Sequence, residues 1–495
     1  MSLLILPNQL FDCKMIESIV DNNDIDKVYL IEEPRYFTDY KFHKLKLAYH
    51  RATMKKYFTK LSKKVNVNYI NFFKVNKIYN ILKKKKVFII DPIDHKLEKQ
   101  FTKFKDLTIL DNFNFLLTRD EIHSNKNEFY NKKTKKYYHD KFYKFQRRKL
   151  GLLMKKNKPE GGKWSYDKLN RENLGKIIPP DNPKKINNKF IKNAIKYVNK
   201  HFPNNYGSLD NFIYPIDRKS SLKWLKNFLK NKLGNYGKYQ DAVNTNHPFV
   251  FHSVISPMMN IGLITDTDVV NISNKYYLNN KKNIPINSYE GFIRQVIGWR
   301  NYVYAIYILE GKKQYNTNFL KHKNKLNEKW WTGETNIIVL DDIIANINKY
   351  AYSHHIERLM YLGNILLLLM VDPKEVHRIF MEWTVDSYDW VMVPNIMGMS
   401  QHSDGGLMMT RPYFASSNYI SKMSPYRKTK KDNWHKKWDN IYYNFIDNHK
   451  NYLKKNYATS RMVVHWERKS KKEQNEIKLT AAHLIKELTD QEYIV

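Results

Sequence analysis

The chain has almost no cysteine: Cys13 is the only one among its 495 residues. A single thiol cannot form a disulfide within the chain. It also cannot supply the set of thiolates that holds a structural zinc ion or an iron–sulfur cluster. The sequence therefore excludes a disulfide-stabilised scaffold and predicts no metal centre built on cysteine.

Long apolar runs are missing as well. Even Ile365–Val371 falls far short of the about 20 residues that a membrane-spanning helix needs. The N-terminal stretch MSLLILPNQLF lacks the apolar length of a signal peptide. We therefore expect a soluble, intracellular protein that has no membrane partner and is a monomer.

Acidic residues are scarce beside basic ones, with 48 Asp and Glu against 86 Lys and Arg and a formal charge of +38. Such an excess favours a polyanionic partner, nucleic acid above all. Lysine, asparagine, isoleucine and tyrosine are abundant together, as an AT-rich genome would produce, so part of the charge has a second possible origin. A binding site would cluster the cations on one face, whereas codon drift would scatter them.

The first 115 residues alternate short apolar runs with helical periodicity. The helical segment Tyr40–Leu61 has a basic outer face, and the alternation predicts a doubly wound α/β domain whose ligands bind at the carboxyl ends of its strands. No GxGxxG motif occurs, so an ordinary dinucleotide site is not expected. Uninterrupted runs of this kind are typical of buried parallel strands, which we predict at Leu3–Leu6, Lys27–Ile31, Val65–Ile70, Val87–Ile90 and Leu107–Leu110.

Cations are interleaved with aromatic residues between positions 130 and 150. This composition suits contact with a phosphate backbone and with exposed bases, and Arg147, Arg148 and Lys149 are the candidate contacts. A solvated amphipathic helix would have the same pattern, and both interpretations stay open. A group of prolines within 179–183 then marks a linker, after which the chain becomes helical throughout.

The stretch from 351 to 420 differs from the rest of the chain. His354 and His355 precede a segment with almost no polar face, and an aromatic helix follows that ends at Pro394. A polar, Gly-rich loop comes next, over 395–406. Apolar helices beside such a loop predict a lined pocket, in which imidazoles that titrate near neutrality could exchange protons. Packing of the same histidines and aromatics in a core is the alternative.

Five long segments of the chain are distinctive: HHIERLM, DSYDWVMVPNIMGMSQHSDGG, TRPYFASSNYISKMSPY, KPEGGKWSYDKLNR and EGFIRQVIGWRNYVY. They resemble the photolyase/cryptochrome superfamily, and most of all its prokaryotic (6-4) photolyases, known as photolyase-related proteins. The resemblance is firm from 130 to 460, weaker before and absent after about 470. It implies an α/β antenna-type domain at 1–125, a basic connector at 126–190, an all-α FAD-binding domain at 191–470 and a tail at 471–495.

The resemblance implies a light-dependent enzyme that uses FAD to reverse pyrimidine photoproducts in UV-damaged DNA, with (6-4) lesions favoured. A cyclobutane-dimer photolyase, a cryptochrome-like photoreceptor and a nucleic-acid-binding protein with a degenerate flavin site remain alternatives, because fold does not fix function. The resemblance also suggests a lumazine-type antenna chromophore in the N-terminal domain, where Pro7–Leu10 and Glu32–Glu33 match strand-end positions. An empty antenna pocket is equally compatible with the sequence.

The resemblance assigns roles to individual residues. His355 is implied as the acid toward the lesion and His354 as its orienting partner. Tyr413, Met399 and Leu359 match lesion-pocket positions. The residues implied to bind FAD are Tyr239, Ser253, Ile255, Ser256, Asn260, Gln295, Trp299, Arg300, Asn395, Asp404 and Gly405.

The sequence departs from the family at the iron–sulfur ligands. The cysteine positions align with Val339, Arg427, Lys430 and, less certainly, Lys436, so no cluster is expected.

Two further departures concern the flavin and its electron supply. Ile379-Phe380 replaces a Trp-Tyr electron-transfer pair, and Met392 stands where a carboxylate often faces the flavin. The candidate replacements for electron transfer are Trp383, Tyr388 and Trp390.

Overall fold

The computed structural model describes residues 1–429 and 431–490. A five-stranded parallel sheet lies in the N-terminal part, with strand order β3-β2-β1-β4-β5. Its strands are Ser2–Ile5 (β1), Lys27–Ile31 (β2), Val67–Ile70 (β3), Lys86–Ile90 (β4) and Asp106–Leu110 (β5). Every residue of β1 is buried, as expected for a central strand covered on both faces. The predicted doubly wound sheet is confirmed.

Helices connect these strands and cover the sheet. They are Cys13–Asn22 (α1), Lys44–Leu61 (α2), Val75–Leu82 (α3) and His95–Phe101 (α4). The helix predicted from Tyr40 begins four residues later, at Lys44, because the side chain of His43 accepts a hydrogen bond from the Leu45 N–H at 3.0 Å. That contact satisfies one of the free N–H groups of the first turn and fixes the start of the helix.

The basic segment folds as a hairpin followed by a helix. Arg119–Ser124 (α5) precedes two short strand pairs and His139–Leu150 (α6), which ends at Gly151 with a φ of 64°. The strand pairs are Tyr130–Asn131 (β6) with Lys136–Tyr137 (β7) and Met154–Lys155 (β8) with Lys158–Pro159 (β9). The domain limits at 125, 190 and 470 stay a prediction.

Beyond these elements, the described chain forms helices joined by loops. It also contains one short strand pair, Lys325–Leu326 (β10) with Thr489–Asp490 (β11). Three π-helical segments interrupt the helices, at Arg294–Arg300, Glu357–Gly363 and Pro394–Ser400. The first helices are Lys189–His201 (α7), Arg218–Asn231 (α8), Leu233–Tyr236 (α9), Ser256–Asn260 (α10), Asp266–Asn279 (α11), Ile286–Ile293 (α12) and Asn301–Tyr315 (α13). The next are Lys329–Thr332 (α14), Ile338–Tyr350 (α15), Asn364–Leu368 (α16), Pro373–Trp383 (α17) and Asp389–Val393 (α18). The last are Ser417–Met423 (α19), Trp434–Leu453 (α20), Tyr457–Glu467 (α21) and Lys471–Leu488 (α22).

None of the helices in the described ranges combines the length and the apolar character that crossing a bilayer requires.

One continuous apolar core joins the sheet to the helical part. It runs from β1 through α13 to the residues around Met397. A second core lies among the C-terminal helices, from Leu326 to Leu488.

Arg35 is the main polar link between the two parts. Its guanidinium donates to Asp94 at 2.8 Å and to Asp389 of α18 at 3.1 Å, and its side chain is 3% exposed. Tyr307 of α13 donates to the same Asp389 at 2.7 Å. Burial alone would raise the pKa of Asp389, but His377 and Arg35 hold that pKa below its usual value. The carboxylate is therefore charged and binds the strand-end loop of the sheet to the helical part.

Helix α2 also contacts the helical part, at residues 381–389. Lys46 is buried, and its ammonium donates to the carbonyls of Met381 at 3.0 Å and Ser387 at 2.7 Å. His50 lies 2.8 Å from the hydroxyl of Tyr388. Burial lowers the pKa of Lys46 to about 7. These contacts fix the backbone of 381–389 against the N-terminal domain.

Replacement of Arg35 with alanine should lower the free energy of unfolding by about 3–5 kcal/mol, since it leaves two buried carboxylates without their cation. Urea unfolding followed by circular dichroism measures the loss. Lys144→Ala is the control, because Lys144 forms an exposed pair with Asp140 at 3.3 Å, and it should cost about 0.5 kcal/mol or less. Similar small losses of unfolding free energy in both variants would contradict the proposed link between Arg35 and the two carboxylates.

Candidate functional site

A cavity of about 270 Å³ lies inside the helical part. The three π-helical segments all contribute to its wall, with Gln295, Trp299, Leu359, Asn395 and Met399 among the lining residues. A π turn is rare and occurs most often at functional sites, because it widens the helix and redirects side chains. Three such turns around one space mark this cavity as the candidate site.

Glycines allow these segments to pack closely. A Cβ on Gly363 would lie 2.3 Å from the hydroxyl of Ser400, so the second and third π segments touch at this point. A Cβ on Gly298 would lie 3.1 Å from both His139 and Tyr143 of α6. The basic helix α6 is therefore docked directly on the first π segment.

Most residues implied to bind FAD lie in the cavity wall. They are Ser253, Ile255, Ser256, Asn260, Gln295, Trp299, Arg300 and Asn395. Apolar side chains such as Val296, Val303 and Ile396 complete the wall. Hydroxyls, amides and a guanidinium beside an apolar surface suit a flat aromatic ring system that carries a polar chain. The individual roles of these residues stay predictions.

The remaining predicted cofactor residues lie elsewhere. Tyr239 stacks on Phe251, with ring centroids 5.6 Å apart, in a separate small core. The Asp404 carboxylate accepts hydrogen bonds from Gln314 at 2.9 Å and from the Gly406 N–H at 2.9 Å. Gly405 occupies a turn with a φ of 68°. The structure therefore uses Asp404 and Gly405 to shape a loop, because the carboxylate already has partners within the protein.

Two charged residues in the cavity wall were not predicted from the sequence. Arg358 donates to Asp386 at 2.9 Å, and both side chains line the cavity. Asp386 also accepts from Ser256 at 2.5 Å, and its carbonyl accepts from Asn260 at 2.7 Å. The available signal was the presence of charged residues within the largely apolar stretches around 358 and 386. The ion pair between Arg358 and Asp386 could not be predicted from the sequence, because the two residues are 28 positions apart.

Arg300 has an unused donor at the wall. Its Nε donates to Asp266 at 2.6 Å and its Nη1 donates to Asn260. Its Nη2 is buried without a hydrogen-bond partner among the described atoms. An unpartnered guanidinium nitrogen beside a cavity favours a ligand that brings an anionic or carbonyl oxygen.

The two adjacent histidines face different ways. His355 has an exposed ring that lines the cavity, whereas His354 is buried and does not line it. Enclosure within the cavity walls and the charge of Arg358 lower the pKa of His355 to about 4. His354 packs against His252, with ring centroids 4.6 Å apart, and its role as the orienting partner of His355 stays a prediction. Adjacent side chains diverge by about 100° where a helix begins, which separates the pair.

Glu357 lies next to the buried histidine. Its Oε1 is 3.7 Å from His354 Nε2, and its Oε2 accepts from the hydroxyl of Ser353 at 2.9 Å. Burial raises the pKa of Glu357 to about 7. The carboxyl group therefore exchanges its proton near neutral pH.

Two of the three residues predicted for the lesion pocket lie in the cavity wall. Met399 and Leu359 line the cavity, but Tyr413 does not. Tyr413 is partly buried, and the guanidinium of Arg411 lies 5.8 Å from the centre of its ring. This places Tyr413 outside the cavity wall in the observed conformation.

The predicted electron-transfer residues are also divided. Trp390 lines the cavity, whereas Trp383 does not but packs on the lining residue Phe380, with ring centroids 5.6 Å apart. Tyr388 points into the N-terminal domain, where its hydroxyl meets His50. A direct route from Tyr388 to the cavity is therefore not supported.

The three basic residues at the end of α6 have different environments. Arg147 is completely buried, and its guanidinium donates to the carbonyls of Trp164 at 2.8 Å and Leu152 at 3.3 Å. The prediction that Arg147 contacts a phosphate is therefore wrong, because these carbonyls already hold its donors inside the protein. Lys149 is exposed and pairs with Glu121, while Arg148 is exposed with its guanidinium 5.1 Å from the Trp164 ring centre. His139 stacks on Trp299 at 3.7 Å, which places this helix against the cavity wall.

The chain resembles known proteins along most of its length. A family described as deoxyribodipyrimidine photo-lyase-related protein matches residues 3–214. A (6-4) photolyase of Agrobacterium fabrum is 37% identical over 355 residues, which cover 70% of each chain.

Two solved structures have the same fold. The crystal structure of a bacterial class III photolyase from Agrobacterium tumefaciens matches with a TM-score of 0.55 at 12% identity, covering 98% of this chain and 97% of that one. The crystal structure of an archaeal photolyase from Sulfolobus tokodaii with two FAD molecules matches with a TM-score of 0.53 at 13% identity, covering 98% and 100%.

The neighbouring arginines of α6 provide a matched test of nucleic-acid binding. Arg148→Ala should reduce the slope of log affinity against log salt concentration by about 1, because one phosphate contact is lost. Arg147→Ala should leave that slope unchanged and should lower the free energy of unfolding by about 1–3 kcal/mol, since it removes the partner of buried carbonyls. Fluorescence anisotropy of a labelled duplex measures the slopes. The reverse pattern would restore Arg147 as the contact.

Proposed function

The chain belongs to the photolyase-related family, and from that premise we propose that it is a light-dependent DNA repair enzyme that uses FAD to reverse (6-4) pyrimidine photoproducts. The likeness to a (6-4) photolyase at 37% identity over 70% of each chain carries the proposal. The cavity agrees with it, because a histidine faces the space that a flipped base would enter.

The cavity wall is suited to FAD. Arg300 Nη2 offers an unused donor, and Ser253, Ser256 and Gln295 add hydroxyl and amide groups. When bound, FAD absorbs blue light and supplies the electron that starts repair. The wall residues bind the cofactor, orient it and exclude water from it. Met392 lines the cavity and has no proton to exchange, so it cannot stabilise a flavin proton as a carboxylate would.

His355 is the residue proposed to hand a proton to the lesion. Reversal of a (6-4) adduct returns an oxygen from one base to the other, which requires a general acid. In the free protein the pKa of His355 is lowered to about 4, so its ring is neutral at pH 7. Nearby phosphates favour the charged imidazolium and raise its pKa. We propose that binding of damaged DNA is what charges this histidine.

Exposed lysines and arginines, among them Arg148 and Lys149, are proposed to bind the DNA backbone, while the damaged bases enter the cavity. A lesion that already distorts the stack costs less free energy to flip than an intact pair. Met399 and Leu359 in the wall provide apolar contact for the extruded bases. His139 at the start of α6 stacks on Trp299 of this wall, which supports a role for the exposed cations of the same helix in DNA contact.

We propose that the protein holds no iron–sulfur cluster. Val339, at the first expected ligand position, is completely buried in the second core. Arg427 donates to the carbonyls of Ser421 at 3.1 Å and Ser424 at 3.2 Å. Lys436 is exposed, and Lys430 lies outside the described residues. None of these side chains is a ligand that such clusters use.

A lumazine-type antenna stays a prediction, and the surroundings of Glu32 argue against that residue as its contact. The Glu32 carboxylate accepts from Tyr197 at 2.9 Å and also from Arg51 and Tyr69. These bonds occupy the strand-end position that the resemblance suggests for the chromophore. The monomeric state and the intracellular location also stay predictions.

The purified protein should contain no iron above trace level, because the chain offers one thiol and no alternative ligand set at the expected positions. Elemental analysis and an acid-labile sulfide assay measure this directly, with the FAD content determined on the same sample. Stoichiometric iron together with sulfide would contradict the alignment of the missing cysteines.

His355→Ala should retain FAD and keep its affinity for damaged DNA within about tenfold, or 1.4 kcal/mol. Repair of the (6-4) product should fall by about a hundredfold, because a general acid contributes at least that much. The measurement is lesion repair under blue light, with flavin absorbance recorded for each sample. His465→Ala, an exposed histidine outside the cavity wall, is the control and should behave like the wild type.

The same assay separates the alternatives. Repair of cyclobutane dimers alone would identify the other type of photolyase. FAD binding without repair of either lesion would favour a photoreceptor, and a colourless DNA-binding protein would favour a degenerate flavin site. Full (6-4) repair by His355→Ala with FAD bound would contradict the proposed role of this histidine.

A further inference from the structure

A third histidine, His252, lies at the cavity beside the adjacent pair His354 and His355. It precedes Ser253 in the loop that leads into α10, and it lines the cavity together with His355. Its ring lies parallel to that of His354, with centroids 4.6 Å apart and planes at 13°. Tyr236 meets it edge-on at 5.9 Å. Contacts with two other rings therefore fix the orientation of the His252 imidazole.

His354 lies behind this layer. It is 1% exposed and has no surface on the cavity. Neither of its ring nitrogens has a hydrogen-bond partner within the described residues. A side chain without surface on the cavity cannot contact a molecule inside it, so His354 cannot act directly on a bound lesion in this conformation.

The His252 ring carries an unused polar atom. Its Nε2 is buried without a hydrogen-bond partner among the described atoms. A buried nitrogen without a partner costs stability and is uncommon in native proteins, so a ligand that brings a polar group to this ring would gain by pairing with it. His252 and His355 come from different segments of the chain, so they reach the cavity from two parts of its wall.

We propose that His252, and not His354, is the second imidazole that contacts the lesion beside His355. His354 is then a positioning residue, which holds the His252 ring in place by stacking. The inference rests on the proposed function, because the contact is with the flipped lesion. It assigns to His252 a hydrogen bond with a polar edge of the damaged bases.

The test compares the same substitution in the two stacked rings of the FAD-loaded enzyme. Phenylalanine keeps a flat ring and removes the nitrogens. His252→Phe should lower the preference for a (6-4) duplex over the undamaged duplex, measured in the dark, by at least fivefold. It should also lower repair at limiting lesion concentration by about tenfold. His354→Phe should change both values by less than threefold. His252→Gln, which keeps a donor and an acceptor, should restore the lesion preference to within threefold of wild type.

A second measurement does not depend on repair. With ¹³Cε1-labelled histidine, each resonance is assigned through its loss in the corresponding Phe variant. Binding of the (6-4) duplex in the dark should shift the His252 and His355 resonances more than binding of undamaged DNA does, with a smaller shift for His354. An unmoved His252 resonance, or a loss of lesion preference in His354→Phe equal to that in His252→Phe, would overturn the inference.

The proposed function can fail separately. A wild-type enzyme that repairs no (6-4) lesion would overturn that function, whichever histidine responds. Loss of FAD in His252→Phe would leave the Gln variant and the resonance shifts to decide the contact.

Discussion

The buried contact between Arg35 and Asp389 sets the position of the cavity wall. Asp389 is the first residue of α18, and the next residues of that helix include Trp390 and Met392, which line the cavity. The guanidinium that holds Asp389 comes from the loop after β2, 354 residues away in sequence. Because a buried ion pair tolerates little displacement of either partner, the N-terminal domain determines where this wall lies. The domain is thus a structural part of the candidate site, whether or not it binds an antenna.

The same segment is held from the cavity side by Asp386. Its carboxylate joins Arg358 of the second π segment to Ser256 at the start of α10. Residues 386–389 therefore connect three walls of the cavity through two aspartates that are only three positions apart. Asp389 binds to the N-terminal domain, and Asp386 binds to helical segments that line the cavity. The short segment 386–389 is therefore held from both sides.

The sequence was a good guide where local pattern and burial coincide. The strands were predictable because a buried parallel strand is a continuous apolar run, whatever its partners are. Arg147 shows the limit, since an arginine beside Arg148 and Lys149 has the pattern of an exposed cation. Carbonyls of the later residues Leu152 and Trp164 enclose its guanidinium, and the local pattern does not show this. His354 and His355 show the same limit at the site: their proximity in sequence suggested a shared task, but the backbone direction at a helix start sends them to different neighbours.

At the described positions where the family resemblance leads one to expect cysteine ligands, the structure contains other stabilising contacts. Val339 lies in the second core, where Trp434 is 1% exposed and donates to the Arg427 carbonyl at 3.1 Å. Tyr426 donates to Asp342 of α15 at 2.8 Å, so the loop after α19 is tied to the helix that carries Val339. Burial of an aromatic side chain of this size contributes about 4–6 kcal/mol as an upper estimate. Apolar packing and a few hydrogen bonds can thus close this region without the metal–thiolate bonds that the family resemblance would imply. The same core contains Ile356, Phe380, Met392 and Ile396, which also line the cavity, so this closure supports one side of the candidate site.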